Sequence, residues 1–308
     1  MPKERSEIRK SYLLDKYVVI TPGRAKRPRD VKEQTILKRS GKCPFCSENI
    51  DKNNIKDRIN DKNGDWQVLS VANIFPAVSL DNKKAYGTQE VVIDTPNHQK
   101  ELADLSIGHI QKLLEMYSKR TTELTKNKNL DYILCFKNQG SKAGASIIHA
   151  HSQIFATKMI PKELEEEAYL LSKYKMKHKT CAYCDILAKE EKGKRKIYSD
   201  ENVVAFTPYA SEYHYEAWIF PRRHLDNITE MNKEELASFS QALKLILKKL
   251  KSIDLSFNYF LHNVVSNKEQ HFYLKIQPRD SIWAGVELAS GLVINSVSPE
   301  KAADFYRQ

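Results

Sequence analysis

Two histidines separated by one residue are the first candidates for chemistry in this sequence, in the segment His149-Ala150-His151-Ser152-Gln153. Neutral imidazole attacks phosphorus without first losing a proton, so a histidine beside a phosphate can form a covalent intermediate near neutral pH. If the segment is a strand, alternation places His149, His151 and Gln153 on one face, where Gln153 can donate to a phosphoryl oxygen that gains charge. The alternative is a pair of core or metal-binding histidines, which the pair alone does not exclude.

The preceding loop, residues 136–146, favours the phosphate interpretation. It joins two apolar runs through small residues and two glycines. Backbone amides in such a loop can approach phosphate oxygens closely, and Ser146 and Lys142 can add donors. The loop and Gln153 together predict that one histidine of the pair is a nucleophile toward phosphorus.

Five cysteines occur as two CxxC turns, Cys43-Pro44-Phe45-Cys46 and Cys181-Ala182-Tyr183-Cys184, and one single residue. An odd, paired count favours metal over disulfides in a cytosolic chain. A thioredoxin-like redox pair is the alternative for the first turn, but such a pair should open a helix after a strand, and Cys43 follows polar, basic residues. Cys135 lies in an apolar run and is predicted to be a core residue of a strand.

Each CxxC turn needs two more donors to complete a tetrahedral zinc site. His98 and His149 could complete the first site, and His224 and His271 the second. The alternative is that His98 and His224 are ordinary polar residues at strand ends, hydrogen-bonded to water. With four protein ligands neither zinc could hold the water that a catalytic zinc requires, so both sites are predicted to be structural.

The elements that must position these residues occur twice, because the order of features in residues 40–156 recurs in residues 178–278. Each part has a CxxC turn, an apolar stretch ending at a proline next to an aromatic residue, and a strand followed by a histidine. An amphipathic helix follows each histidine, with Ser106 and Asn232 as the predicted caps. The parts close with paired apolar runs, residues 132–136 with 147–156 and residues 257–261 with 272–276.

Strands with one long helix per part, ending in a hairpin-like pair, indicate an α+β fold built from two similar antiparallel units. We expect the two domains at residues 1–160 and 161–308. Residues 161–179 are rich in charge and place apolar residues at helical spacing, so they are predicted to form a linker helix.

The formal net charge of +11 suits a polyanionic partner, such as nucleic acid, a membrane surface or a small phosphorylated metabolite. The alternative is a lysine-rich solvated surface. No stretch approaches the ~20 apolar residues needed to cross a bilayer, and the first ten residues lack the apolar region of a secretory signal. We therefore expect a cytoplasmic protein without a membrane partner. Aromatic and basic residues are not interleaved as a base-stacking surface requires, so nucleic acid is not expected either.

The segment His149-Ala150-His151-Ser152-Gln153 resembles the HxHxQ motif of the galactose-1-phosphate uridylyltransferase family, and the resemblance runs nearly end to end. This family is a branch of the histidine-triad superfamily built as a fused pair of half-barrel domains. The resemblance implies a tandem, duplicated histidine-triad-like half-barrel. It also implies that His149 binds zinc with Cys43, Cys46 and His98, that His151 takes the nucleotidyl group, and that Gln153 replaces the third histidine of the triad.

The resemblance further implies a nucleotide pocket and a mechanism. The pocket residues would be Arg27, Asn73, Asn138, Gly144 and Ser146, with Gln153 beside the phosphate and Glu287 on the hexose. In the implied ping-pong mechanism, His151 displaces a sugar 1-phosphate from a nucleotide sugar, and a second phosphate then attacks the nucleotidyl-histidine. The expected partners are thus a nucleotide sugar and a hexose 1-phosphate or inorganic phosphate. Relatives in this family are commonly homodimers, so we expect a homodimer.

Several positions depart from the uridylyltransferase pattern. The chain has Asn73-Ile74 where those enzymes typically have Asn-Asp, and Val293 in place of a hexose-contacting glutamine. Their C-terminal HxH is Lys275-Ile276-Gln277 here, so the metal site that some of them carry there is not expected, although Glu167 and His262 occupy two of its positions.

The motif FKNQG, the following Gly-Ala-Ser and the C-terminal CxxC are instead similar to the ADP-glucose phosphorylase branch, which transfers AMP from ADP-glucose to inorganic phosphate. In that branch the second zinc set would fall on Cys181, Cys184, His224 and His271. We therefore expect AMP transfer, with a UDP-glucose–hexose-1-phosphate uridylyltransferase as the alternative. More distant alternatives are a histidine-triad nucleotide hydrolase, whose third position is usually histidine, and a zinc-ribbon nucleic-acid binder.

Overall fold

A computed structural model describes residues 5–26, 42–263 and 270–308 of the chain. The strands are β1 (Glu7–Lys10), β2 (Tyr17–Ile20), β3 (Ile55–Asn60), β4 (Trp66–Ala72), β5 (Gly87–Ile93), β6 (Tyr132–Gln139), β7 (His151–Thr157), β8 (Lys196–Ser199), β9 (Val203–Phe206), β10 (Ala217–Pro221), β11 (Phe257–His262), β12 (Tyr273–Pro278) and β13 (Val293–Asn295). The α-helices are α1 (Ile107–Leu124), α2 (Lys162–His178), α3 (Ala182–Glu190), α4 (Lys233–Ser252), α5 (Gly285–Ser290) and α6 (Pro299–Arg307).

One long antiparallel sheet forms the centre of the described structure, with strand order β3-β4-β5-β7-β6-β11-β12-β10-β9-β8. The order is a palindrome of the two parts, because β6 and β7 correspond to β11 and β12, and β5 to β10. The two parts join where β6 pairs with β11, in a register that sets Gln139 opposite Phe257. The predicted α+β fold of two similar antiparallel units is therefore confirmed.

Helices α1 and α4 cover one face of this sheet. Both begin at the predicted caps: the Ser106 hydroxyl accepts the His109 N–H at 3.1 Å, and the Asn232 side chain accepts the Glu235 N–H at 2.8 Å. Their apolar faces bury side chains such as Leu113 and Leu243 in the main core, where each buried leucine stabilises the fold by about 1.5–3 kcal/mol. The two CxxC turns and the histidine pair lie on the opposite face of the sheet.

Strand alternation separates the two faces residue by residue. Val92 points into the main core under α1, while its neighbours Val91 and Ile93 pack with Phe45 on the opposite face. Cys135 is fully buried in the main core, as predicted.

Helix α2 matches the predicted linker helix, beginning after Pro161 and ending at Lys179 in a left-handed conformation. The sequence pattern did not predict α3, α5 and α6, or the small sheet β1-β2-β13, in which β13 runs parallel to β2. These elements are short, with three to nine residues each. The division into domains at 1–160 and 161–308 stays a prediction.

The predicted strand over residues 147–156 differs from the observed one, because β7 begins only at His151. Residues 147–150 instead leave the sheet, although the Asp94 N–H still donates to the Ala150 carbonyl at 3.0 Å. Among the described residues no helix has the length and apolarity needed to cross a membrane.

Candidate active site

His151, the predicted nucleophile, is the first residue of β7 and lies opposite Ile93 of β5. Its imidazole is buried, and Nδ1 donates a 2.9 Å hydrogen bond to the carbonyl of His149. This bond fixes the tautomer, because a proton on Nδ1 leaves Nε2 with its lone pair. Burial, followed by the positive charge of Lys137, lowers the pKa of His151 below its ordinary value. The ring is therefore held neutral, with an unprotonated lone pair on Nε2.

His149 uses its two ring nitrogens differently from His151. Its Nε2 donates to the Thr95 carbonyl at 2.8 Å, which leaves Nδ1 unprotonated. That Nδ1 lies 3.7 Å from Cys43 Sγ and 3.8 Å from Cys46 Sγ, and His98 Nδ1 lies 3.4 Å from Cys46 Sγ.

These four side chains form a possible metal site, with donor atoms that all lie within 4.8 Å of one another. A tetrahedral zinc with two thiolates and two imidazoles has sulfur–nitrogen separations of about 3.5 Å. The observed separations of 3.4–3.8 Å agree with that geometry. The four predicted residues of the first site are thus brought together, and their donor set fits zinc.

Phe45, a residue that was not predicted for the site, links the first CxxC turn to His151. Its ring lies 4.9 Å from the ring of His151 and 6.3 Å from that of His149. Its position inside the first CxxC turn is the sequence feature that could have identified it as a site residue. A metal that orders this turn would also hold Phe45 against the face of the nucleophile.

The second cluster brings together Cys181, Cys184 and His224, again with donor atoms within 4.8 Å. Cys181 caps α3, so this CxxC turn opens an α-helix, whereas the first is followed by a short 3-10 helix, Ser47–Asn49. The Cys184 thiol donates to Cys181, which lowers the pKa of Cys181 to about 6. Thiolate character at a helix start favours metal binding.

His271 stands beside this cluster, with its ring 5.0 Å from the ring of His224. Its Nδ1 hydrogen-bonds to the Phe272 carbonyl at 3.0 Å. The other nitrogen, Nε2, is buried and has no hydrogen-bond partner among the described residues. Burial lowers the pKa of His271 to about 4, so Nε2 offers a lone pair. The structure does not bring His271 into the group whose ligand atoms all lie within 4.8 Å of one another, but its unpartnered Nε2 has a lone pair that could bind a metal as a fourth ligand.

The second part of the chain has no imidazole at the position that matches His151. Two residues after His271 stands Tyr273, which is buried between the rings of Phe220 and His262 at 4.6 and 4.5 Å. The His262 ring also approaches Glu167, at 3.7 Å from Nε2 to the carboxylate. Aromatic packing thus fills the position in the second part that His151 occupies in the first.

The predicted phosphate loop leaves β6 through Gly140, at φ +81°, and turns again at Gly144, at φ +84°. Gly140 accepts from the backbone amides of Ala143 and Ala145, each at 3.2 Å, which closes a tight turn. Gly144 has open space around it, and Ser146 is exposed. The loop backbone is therefore accessible to an anion around Gly144 and Ser146, the part of the loop that precedes His151 along the chain.

Two carboxamides near this loop have defined partners. Asn138 accepts through Oδ1 from Asn258 Nδ2 at 2.8 Å, and Gln153 accepts through Oε1 from Gln89 Nε2 at 2.7 Å. Asn138 and Gln153 were predicted site residues, but their partners Asn258 and Gln89 were not. Each partner lies on a neighbouring strand, and only the strand order reveals such a pair.

Asn73 follows β4, where its backbone N–H donates to the Gln89 carbonyl at 3.0 Å and its side chain accepts from the Phe75 N–H at 2.9 Å. The Phe75 side chain is 86% exposed. An aromatic ring that exposed, at the end of a strand in the same sheet, offers a stacking surface for a flat ligand group.

A buried ion pair lies behind the histidine pair, on the opposite face of the sheet. Lys137 donates to Asp94 at 2.7 Å and to the His151 carbonyl at 2.8 Å, and Asp94 also accepts from the Ser152 hydroxyl at 2.7 Å. The sequence feature that could have predicted this ion pair is Lys137 itself, a lysine at an inward-facing position of the alternating strand β6.

Within its described residues, the structure does not bring two of the predicted binding residues, Arg27 and Glu287, together with the histidine pair. Arg27 lies outside the described residues. Glu287 lies in the first turn of α5, where its carboxylate accepts from the Ala284 N–H at 2.9 Å and caps its own helix.

The sequence matches two family descriptions. "Galactose-1-phosphate uridyl transferase, N-terminal domain" covers residues 1–161, and "HIT domain" covers residues 189–272. Galactose-1-phosphate uridylyltransferase of Thermotoga maritima is 30% identical, and the match covers 98% of each chain. ADP-glucose phosphorylase of Arabidopsis thaliana is 29% identical, over 98% of this chain and 92% of that protein.

The solved structures agree with these relatives. The crystal structure of the Arabidopsis thaliana ADP-glucose phosphorylase with bound ADP-glucose has a TM-score of 0.87 at 28% identity, over 99% of both chains. A uridylyltransferase structure has a TM-score of 0.77 at 27% identity, over 98% of this chain and 97% of that one. An ADP-glucose phosphorylase and a uridylyltransferase are thus similarly close to this chain in sequence identity. The chain belongs to the galactose-1-phosphate uridylyltransferase family and is a hexose-1-phosphate nucleotidyltransferase of that family.

Proposed function

We propose that this protein is an ADP-glucose phosphorylase, which transfers AMP from ADP-glucose to inorganic phosphate through a nucleotidyl intermediate on His151. The observation that carries the proposal is the hydrogen bond from His151 Nδ1 to the His149 carbonyl, which leaves Nε2 unprotonated and able to attack phosphorus.

In the first step, Nε2 of His151 attacks the phosphorus attached to adenosine. The bond from that phosphorus to the bridging oxygen breaks, and glucose 1-phosphate leaves. In the second step, an oxygen of inorganic phosphate attacks the same phosphorus, the phosphorus–nitrogen bond breaks, and ADP forms. His151 returns to its starting state with the proton still on Nδ1, so no separate base is needed to activate it.

Four predicted residues would bind the transferred phosphoryl group. Gln153 and Asn138 each have their carbonyl oxygen occupied by a neighbouring amide, so each has its NH₂ group available for a phosphoryl oxygen. The Gly144 backbone and the exposed Ser146 hydroxyl would add donors. Arg27, Asn73 and Glu287 would contact the rest of the nucleotide sugar, as the family resemblance implies.

Zinc is the metal we propose for both Cys/His clusters, with Cys43, Cys46, His98 and His149 in the first and Cys181, Cys184, His224 and His271 in the second. Four protein ligands give zinc a structural role, in which it holds the segments around the nucleophile together. The chain itself supplies the groups that bind and attack phosphorus.

The choice of AMP rests on three features. Ile74 follows Asn73 where uridylyltransferases typically have an acid, the loop carries the FKNQG motif, and the second Cys/His cluster is present. The similarity to the structure with bound ADP-glucose supports the same choice. Transfer of UMP is the second candidate, because the uridylyltransferase of Thermotoga maritima is equally similar in sequence.

Intact-mass measurement after separate incubation with ADP-glucose and UDP-glucose tests this function. We expect an AMP adduct from ADP-glucose that disappears in His151→Gly, and ADP formation only when phosphate is supplied. A UMP adduct alone would assign the uridylyltransferase activity. Release of AMP without phosphate would indicate a hydrolase, and an adduct that survives in His151→Gly would disprove the nucleophile.

We also propose a cytoplasmic homodimer. Ile282, Val286 and Leu288 are exposed in and beside α5, next to the predicted hexose residue Glu287, and an apolar patch of this kind is typical of an interface. Light scattering coupled to gel filtration should give twice the chain mass, and a monomer at micromolar concentration would contradict the proposal.

A further inference from the structure

The side-chain amide of Gln153 is oriented by a chain of hydrogen bonds that begins at a backbone group. The N–H of Ala77 donates to Gln89 Oε1 at 3.1 Å, and a backbone N–H can only donate. The acceptor on Gln89 must therefore be its oxygen, which turns its NH₂ group toward Gln153. That group donates to Gln153 Oε1 at 2.7 Å. The remaining group on Gln153 is its own NH₂.

A second chain of hydrogen bonds orients Asn138 in the same way. The carbonyl of Ala143 can only accept, and it receives Asn258 Nδ2 at 2.8 Å. The same NH₂ group also donates to Asn138 Oδ1 at 2.8 Å. Asn138 is thus left with its NH₂ group available. Asn258 lies on β11, so a residue from the second part of the chain orients the Asn138 side-chain amide in the first part.

We infer that Gln89 and Asn258 are positioning residues that turn the NH₂ groups of Gln153 and Asn138 toward the phosphoryl group during transfer. This inference rests on the proposed function, because it assumes phosphoryl transfer at His151.

The need for such residues follows from the symmetry of a carboxamide. Its oxygen and nitrogen have nearly the same size, so a free glutamine or asparagine can present either one. A carbonyl oxygen directed at a phosphoryl oxygen that gains charge is repelled, whereas an NH₂ group stabilises it. Preorganised donors act because they need no reorientation during the reaction.

Gln89 also connects this orientation to the predicted nucleoside-binding segment. Its backbone carbonyl accepts the Asn73 N–H at 3.0 Å, and its side-chain oxygen accepts the Ala77 N–H at 3.1 Å. Both donors belong to the segment that carries the exposed Phe75 ring. Displacement of that segment would therefore loosen the orientation of Gln153.

The experiment compares Gln89→Glu with Gln89→Met in the zinc-loaded protein, by rapid-quench measurement of adduct formation on His151. A glutamate keeps the shape of Gln89 but has no NH₂ group, so Gln153 must turn its own NH₂ toward residue 89. We expect Gln89→Glu to slow adduct formation by roughly 10²–10³-fold, the loss typical of one removed oxyanion donor. Gln89→Met leaves Gln153 free to turn, and about a fivefold loss is expected.

Added negative charge is a separate explanation for slow transfer, and the Gln153→Ala background tests it. In that background the amide to be oriented is gone, so Gln89→Glu should cause less than a threefold further loss. A full further loss there would assign the effect to charge and overturn the inference. Gln241→Glu, on the exposed face of α4, adds the same charge far from the site and should transfer at the wild-type rate.

Asn258→Asp tests the second chain of hydrogen bonds. The substitution removes the NH₂ group that donates to both Ala143 and Asn138. We expect adduct formation to slow at least as much as in Asn138→Ala. The double variant Asn138→Ala/Asn258→Asp should show no further loss of rate. Thermal unfolding of each variant separates misfolding from misorientation. A folded Gln89→Glu that transfers at the wild-type rate would overturn the inference for Gln89 alone. Absence of any His151 adduct in the wild-type protein would overturn the proposed function and this inference together.

Discussion

Lys137 donates a 2.8 Å hydrogen bond from its side-chain ammonium to the backbone carbonyl of His151. The pairing of β6 with β7 ends at Phe136 opposite Gln153, and beyond that point β6 pairs with β11. The two strands therefore separate before they reach His151, where the ammonium takes the place of a missing backbone donor.

Loss of Lys137 should destabilise the fold strongly. Its side chain and that of Asp94 are both almost completely buried, so Lys137→Met leaves a buried carboxylate without its cation. We expect the free energy of unfolding to fall by about 3–5 kcal/mol. Urea denaturation monitored by circular dichroism measures this loss.

The double variant Asp94→Asn/Lys137→Met is the control for charge imbalance. Because it removes both buried charges, it should lose less stability than Lys137→Met alone. Equal losses in the single and the double variant would show that the pair contributes packing and not charge.

The rate of adduct formation should depend little on pH between about 6.5 and 8. Burial and then Lys137 lower the pKa of His151 below its ordinary value near 6.5, so the neutral ring persists as the pH falls to that value. The rate should decrease only at more acidic pH, where the ring becomes protonated and Nε2 loses its lone pair. Single-turnover measurements with ADP-glucose across this range provide the test. A midpoint at pH 7 or above would contradict a lowered pKa.

The repeated sequence pattern was sufficient to predict the antiparallel units, the caps at Ser106 and Asn232 and the first metal cluster. These features depend on local spacing or on one recurring order of motifs. The partners Gln89 and Asn258 could not be predicted in this way, because they face Gln153 and Asn138 only after β5 pairs with β7 and β6 with β11. His149 was predicted to lie in a strand, but the strand begins only at His151. Alternation of residue types alone does not show where the hydrogen-bonded pairing of two strands ends.

Gly140→Ala should disturb the start of the phosphate loop. The residue has φ +81° and ψ 162°, a conformation that costs non-glycine residues about 1–3 kcal/mol. A Cβ there would also approach Ser256 Oγ to 2.3 Å. We expect lower stability and slower adduct formation, measured by thermal unfolding and by rapid quench.

Gly64→Ala is the matched control, because Gly64 has a similar φ of +90° with no atom within 4 Å of the added Cβ. It should lose stability through backbone strain alone and keep the wild-type rate. If Gly140→Ala behaves like Gly64→Ala in both assays, the contact with Ser256 has no effect on the loop.

Metal content should distinguish the two Cys/His clusters. We expect two zinc ions per chain in the wild-type protein by elemental analysis, and one in Cys43→Ser or in Cys184→Ser. Cys43→Ser should also slow adduct formation, because the first turn carries Phe45 against His151. Cys184→Ser should lower stability with a smaller effect on the rate, since its part of the chain holds Tyr273 at the position that matches the nucleophile.

His271→Ala tests the fourth ligand of the second cluster. If His271 Nε2 binds the metal, this variant should lose zinc from that cluster, or bind it at least ten times more weakly, in competition with a chelator. Phe272→Leu changes the neighbouring core residue without removing a donor atom, so it should lose stability but keep two zinc ions. Full zinc retention in His271→Ala would show that the ion is held by Cys181, Cys184, His224 and a ligand other than His271. The lone pair of the buried Nε2 would then need another explanation.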